Sequence, residues 1–219
     1  MLIQPVRKIH NVNSSKVIGL FYSHKMGKQL PFESTLEKDW LLWLDYRRDI
    51  KTISVQPKTF KFTEHGESRK YTPDVHVTFH DGRYPVYFEV KPSGTELLQR
   101  FRHQFQLHSR VIERHDAELQ LVTCSRIRIE PHLSNLKRLK TYASVPSLVP
   151  SEHEVVQSIL SQHGPMPLSA LLHSCRQQGL PITLEDIFRE AFLGQLFIDL
   201  SQPVTPNPLI YQKEICHVT

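Results

Sequence analysis

The chain has 219 residues, 39% of them hydrophobic, with a net charge of +5 and 13 histidines, enough for one large domain or for one domain and a small second one. No apolar run approaches the ~20 residues of a bilayer span, and the N-terminal MLIQPVRKIH lacks a signal-peptide core, so the expectation is a cytoplasmic protein with no membrane partner. Cys124, Cys175 and Cys216 are too few and too scattered for a disulfide framework or a zinc site, and no histidines fall at HxH or HExxH spacing. Charge is uneven: residues 1–143 hold 24 Lys and Arg against 15 Asp and Glu, and residues 144–219 hold 3 against 7. A basic front part suits a polyanion such as DNA, while an acidic back part does not.

Residues 1–15 have no clear period and read as a flexible arm. Lys16–Tyr22 reads as a strand, Ser23 to Lys28 as a turn, and Gln29–Phe32 as a returning strand. Lys25 and Lys28 there are either basic tips of an edge hairpin or phosphate contacts. Ser34–Arg48 predicts a helix with Leu36, Trp40, Trp43 and Leu44 at helical spacing. Ser34 followed by Glu37 is a capping box. Glu37 therefore either closes the cap or points toward the following strands as a metal ligand, with Glu33 as its competitor. Thr52–Phe62 predicts a strand that bends at Pro57, which cannot donate a ladder hydrogen bond. Gln56 sits at that bend, and Thr63–Lys70 reads as a charged turn.

Tyr71–Pro92 carries the chemistry. Thr72–Phe79 and Tyr84–Lys91 predict two strands joined through Asp81-Gly82, a strong hairpin signal. Alternation puts Val75, Val77, Phe79, Val86, Phe88 and Val90 on apolar faces, and Asp74, Glu89 and Lys91 together on the opposite one. Two carboxylates a few ångströms apart resist joint ionisation unless a cation sits between them. Hard oxygen donors without a Cys or His cluster suit magnesium or manganese. A lysine beside them can orient a water or offset charge on a phosphate. The spacing P-D-x14-E-x-K is that of the PD-(D/E)xK nucleases. The plain alternative is a hairpin with a solvated polar face.

Thr95–Arg114 predicts a helix carrying Arg100, Arg102, Arg110 and Arg114 outward. Glu118–Thr123 follows as a strand, so a parallel crossover to the hairpin is expected. Ile127 and Ile129 extend it or start another strand, and Leu133–Tyr142 reads as a short helix. The Pro- and Ser-rich stretch 144–150 is the expected linker between a nuclease domain at 1–143 and a small domain at 151–219. In the latter, Ser151 and Glu154 predict a second capping box. Three helices, a strand at Gln195–Leu200, a Pro-rich turn and a strand at Pro208–Gln212 suggest a winged helix. Its third helix displays Glu185, Asp186, Arg189 and Glu190, which favours a protein partner over phosphates.

The stretches YSHKMGK (22–28), ESTLEKDWLLWLDY (33–46), VQP (55–57), TPDV (72–75) and FEVKP (88–92) together resemble the TnsA endonuclease family, over roughly residues 15–130. The resemblance implies an α/β, restriction-endonuclease-like PD-(D/E)xK core with a mixed sheet, followed by a small C-terminal winged-helix domain. It implies a metal-dependent DNA endonuclease that cuts the non-transferred strand at transposon ends together with the TnsB transposase. By position, it assigns the helix-borne acid to Glu37 rather than Glu33, and the strand residues to Asp74, Glu89 and Lys91. Glu37, Asp74 and Glu89 would hold Mg2+, or Mn2+ in its place, with the Val90 carbonyl as a further ligand. Residues 151–219 would engage the AAA+ regulator TnsC. The compact C-terminal part is similar to versions found in CRISPR-guided transposons. The rival classes are another PD-(D/E)xK nuclease of restriction or resolvase type, and a non-catalytic DNA-binding scaffold.

Overall fold

A computed structural model of the chain describes residues 17–212; the expected N-terminal arm, Lys16 and Cys216 lie outside the described residues. The chain divides into two compact units, Met1–Ile129 and Glu130–Thr219. Among the described residues no helix is long and apolar enough to cross a membrane.

The first unit runs, in chain order, β1 (Gly19–Ser23), β2 (Lys28–Phe32), α1 (Thr35–Tyr46), β3 (Ile50–Val55), β4 (Phe60–Glu64), β5 (Glu67–Tyr71), β6 (Val75–Phe79), β7 (Val86–Lys91), α2 (Gln99–Glu113), β8 (Glu118–Thr123) and α3 (Cys124–Ile127). Its main sheet has the order β3-β6-β7-β8. β6 is antiparallel to β3 and β7, while β7 and β8 are parallel and joined through α2, the crossover expected from strand, helix, strand. Burial alternates along β6 and β7 as the period of two requires. Phe88 meets Trp40 of α1, ring centroids 5.1 Å apart. Tyr87, on the other face of β7, packs against the cluster of Val111 and Ile112 of α2 with Phe60, Tyr71 and Leu119. Both faces of β7 are thus covered, one by α1 and one by α2.

Three expectations change here. The predicted strand through Pro57 splits, and the supposed charged turn is a second hairpin, β4–β5. His65 and Gly66 both adopt positive φ (48° and 81°), the backbone of a tight two-residue hairpin loop. Phe60 and Tyr71 supply the apolar anchor on which this hairpin packs. Ile127 ends a short helix rather than extending a strand, and its carbonyl accepts from Trp43 Nε1 at 2.7 Å. Lys25 is not displayed for phosphate: its Nζ donates to the Arg47 carbonyl at 2.9 Å, and burial lowers its pKa against the opposing charges of Asp45 and Asp49. The YSHKMGK turn is a clasp on buried Asp45, which accepts from Ser23 Oγ (2.5 Å) and from the His24 and Lys25 amides (both 3.1 Å).

The second unit runs α4 (His132–Lys140), α5 (Pro150–His163), β9 (Met166–Pro167), α6 (Leu168–Gln177), α7 (Leu184–Phe192), β10 (Leu196–Phe197) and β11 (Leu209–Gln212), with sheet order β10-β11-β9. The expected domain boundary fell after residue 143, but the compact units part between Ile129 and Glu130. The reason is Asn135 of α4. Its buried amide donates to the carbonyls of Leu200 (2.9 Å) and Gln202 (2.8 Å) and accepts from the Val204 amide (3.1 Å). A buried side chain so fully engaged ties α4 to the C-terminal segment. α5 starts at Pro150, and Glu152 rather than Glu154 reaches back, to the Val149 amide (2.9 Å). In α7, Asp186 closes a cap with Thr183, and Glu190, only 4% exposed, pairs with Arg189 (2.8 Å) and His153 (3.2 Å). The helix therefore displays less negative charge than its sequence implied. With α4 included, residues 130–219 hold 6 Lys and Arg against 8 Asp and Glu.

Candidate active site

The strand residues of the P-D-x14-E-x-K pattern converge at one end of the main sheet, where β3 and β7 end and β6 begins. Asp74 directly precedes β6. Its amide donates to the Phe88 carbonyl (3.1 Å), and its Oδ2 accepts from the Val90 amide (2.8 Å). Backbone pairing therefore pins the carboxylate against β7. Glu89 and Lys91 share the face of β7 that looks toward α2. Lys91 Nζ lies 2.5 Å from Glu89 Oε1 and 3.7 Å from Asp74 Oδ2. The Asp74, Glu89 and Lys91 side chains are only 22%, 13% and 30% exposed.

One ammonium thus serves two carboxylates in a poorly hydrated corner. Burial first, then the Glu89 charge, pushes the Asp74 pKa up to about 7, against the lowering pull of Lys91 and the Val90 amide. The Lys91 pKa is also raised: burial works to lower it, and the Asp74 and Glu89 charges and the Glu89 hydrogen bond outweigh that. The ammonium is therefore firmly cationic, and the negative charge around it is in excess.

Glu37 stands apart in geometry though not in field. Its Oε1 accepts from Ser34 Oγ (2.9 Å) and its Oε2 from the Glu33 amide (2.8 Å), while its own amide donates to Ser34 Oγ (3.1 Å). Ser34 caps the helix as the sequence implied, but the return bond from Glu37 goes to the Glu33 amide, one residue before the N-cap, rather than to the Ser34 amide that a capping box would use. Its charge still raises the pKa of both Asp74 and Lys91. Among the described residues no three Asp, Glu, His or Cys side chains gather closely enough to hold a metal ion. Glu33 accepts from Gln56 Nε2 at 3.1 Å. At Val90 it is the amide, rather than the carbonyl weighed as a ligand, that touches Asp74.

Two neighbours were not singled out by sequence reasoning. Tyr71 ends β5, and its hydroxyl donates to Glu89 Oε2 at 2.5 Å. His108 of α2 stacks on the Tyr71 ring, centroids 3.7 Å apart and planes 13° from parallel. Neither carries a local signal, since Tyr71 lies 18 positions from its carboxylate partner on a hairpin read as a turn. Gln56, placed by the sequence at the bend, also borders the site. Its backbone takes a positive φ of 43°, and its amide donates to the Asp74 carbonyl (2.9 Å).

Residues 47–124 match the family model described as TnsA-like endonuclease N terminal. That span includes Asp74, Glu89, Val90 and Lys91, and Glu37 falls before it. A comparison with curated proteins gives no match. Residues 47–124, which hold the mixed sheet and the carboxylate–lysine corner at its end, are thus similar to the N-terminal domain of the TnsA-like endonucleases.

Proposed function

We propose that the chain is the strand-cutting subunit of a heteromeric DNA transposase, a Mg2+-dependent endonuclease that hydrolyses the non-transferred strand at transposon ends alongside TnsB and TnsC. The observation that carries this reading is the shared ammonium: Asp74 and Glu89 both face Lys91 within the span that matches an endonuclease family. Oxygen donors with unbalanced negative charge suit a hard divalent ion. Asp74 and Glu89 would hold it, with Glu37 the third acid, whose field reaches Asp74, and the Val90 carbonyl a further donor. When bound, Mg2+ supplies polarisation of the scissile phosphate and a lowered water pKa. Lys91 places a fixed positive charge where water is oriented and where charge grows on the phosphate. Products would carry 3′-hydroxyl and 5′-phosphate ends.

DNA as substrate is supported by the outward face of β4–β5. Lys61 stands directly opposite Lys70, and Thr63 opposite Ser68, all four exposed. The acids of this hairpin, Glu64 and Glu67, are on the other face with Arg69 (3.7 and 2.7 Å). Like charges opposed across a strand pair destabilise it unless an anion lies over them. The variant K61A/K70A is expected to bind duplex DNA more weakly and to lower the slope of log K against log salt by about 2 units, near 1 per lost phosphate contact. Fluorescence anisotropy over a salt series measures this.

The second unit reads as a winged helix, because its order of helix, strand, two helices and two strands is that of the fold. The resemblance makes this part the contact for TnsC. Because α4 packs with it, a truncation meant to isolate the nuclease unit belongs after Ile129 rather than at the linker.

The test is a donor plasmid carrying the element's ends, incubated with this chain, its TnsB and TnsC and Mg2+. Cuts on the non-transferred strand that stop on chelation are expected. Processing of the transferred strand alone, with the other strand intact, sinks the reading.

A further inference from the structure

We infer that Tyr71 is a positioning residue for Glu89, held in place by a stacking contact with His108, so that β4–β5 and α2 together aim a site carboxylate. The inference rests on the nuclease reading for its role, though not for its geometry.

Glu89 has two carboxylate oxygens and each is engaged by a different element. Oε1 takes Lys91 of its own strand (2.5 Å), and Oε2 takes the Tyr71 hydroxyl (2.5 Å). A carboxylate held at both oxygens has little freedom to rotate about its last torsion, and hydrogen bonds to a charged acceptor are short and strong. The donor is itself constrained. Tyr71 is 7% exposed within the cluster of Phe60, Val111 and Ile112, and its main chain pairs with Phe60. His108 lies flat against its ring at 3.7 Å. The phenol therefore cannot swing away from Glu89 without breaking the hairpin's packing on α2. Tyr71 touches no reacting atom in this scheme, because it acts through Glu89. Groups that orient ion-holding carboxylates typically change ion affinity by about 10- to 100-fold when removed.

Tyr71→Phe keeps the ring, the stack and the packing and removes only the donor. In protein free of divalent ions, the Glu89 carboxyl carbon, followed by NMR on 13C-glutamate-labelled protein, is expected to shift in this variant. Its calcium affinity by calorimetry should fall by about tenfold. Cleavage should fall in kcat with KM for DNA unchanged. His108→Phe, which retains a flat ring, should behave as the parent, and His108→Ala should share the loss. An unmoved Glu89 resonance and unchanged ion affinity in a folded Tyr71→Phe protein would overturn the assignment. Loss in His108→Phe equal to that in His108→Ala would overturn the stacking part of it. The resonance is read without catalysis, so a parent protein that fails to cut DNA would defeat the nuclease reading while leaving the Tyr71–Glu89 coupling to be judged by its own measurement.

Discussion

Asp74→Asn is expected to abolish strand cleavage, by about 10³-fold or more, while leaving duplex binding within about twofold. Asparagine keeps an acceptor for the Val90 amide (2.8 Å to Asp74 Oδ2) and nearly the same volume, so the sheet end should persist. What disappears is one of the two charges facing Lys91. The same change should alter stability in a pH-dependent way. The Asp74 pKa is raised to about 7, so the folded protein binds this proton more tightly than the unfolded chain does. The stabilisation from this group is complete below the unfolded carboxylate pKa of about 4 and is lost as pH climbs through about 7. Asparagine has no such cost. Without divalent ions the variant should therefore be more stable than the parent at pH 8, on the order of 1–3 kcal/mol once partial exposure is allowed for, and near parity at pH 4. Urea denaturation at the two pH values reads this out, and a gel assay reads cleavage. Retained cutting by Asp74→Asn would remove the basis of the proposed chemistry.

Lys91→Met should cost about 10³-fold in cleavage as well, but with the opposite sign in stability. Lys91 is the ammonium that offsets Asp74 and Glu89. Its pKa is raised above the ordinary lysine value, so its contribution is fully present at neutral pH and fades only above that value. Removing it leaves two half-buried carboxylates facing each other. The variant should be less stable than the parent at pH 8, and the deficit should shrink at pH 5, where Asp74 takes up a proton. Calcium binding should survive, because loss of a competing cation favours a new one. A rate near that of the parent, or loss of ion affinity with the fold intact, would show that Lys91 has a different task. The two variants also form an internal control, since the double variant should recover part of the stability that Lys91→Met loses.

The features legible in sequence are those written in local periodicity. The Asp81-Gly82 hairpin, the apolar alternation of β6 and β7, the parallel return of β8 after α2, and the Ser34–Glu37 cap all appear where spacing placed them. Glu89 and Lys91 follow from the same rule, since residues two apart on a strand share a face. The errors fall where a distant partner decides. Thr63 to Lys70 is polar enough to look like a turn, and its place in a strand pair depends on Phe60 and Tyr71 meeting α2. Lys25 looks like a basic tip until the Arg47 carbonyl and burial claim it.

By itself the sequence determined the mixed sheet and the strand acids and lysine of the site, because strand period and backbone pairing bring Asp74, Glu89 and Lys91 to one end whatever surrounds them. Only the tertiary structure decided that Tyr71 and His108 brace Glu89, and that α4 belongs with the C-terminal unit. Those outcomes turn on competition for a hydrogen bond or a buried surface between groups far apart in the chain. The winner of such a competition depends on distance and desolvation in the folded state.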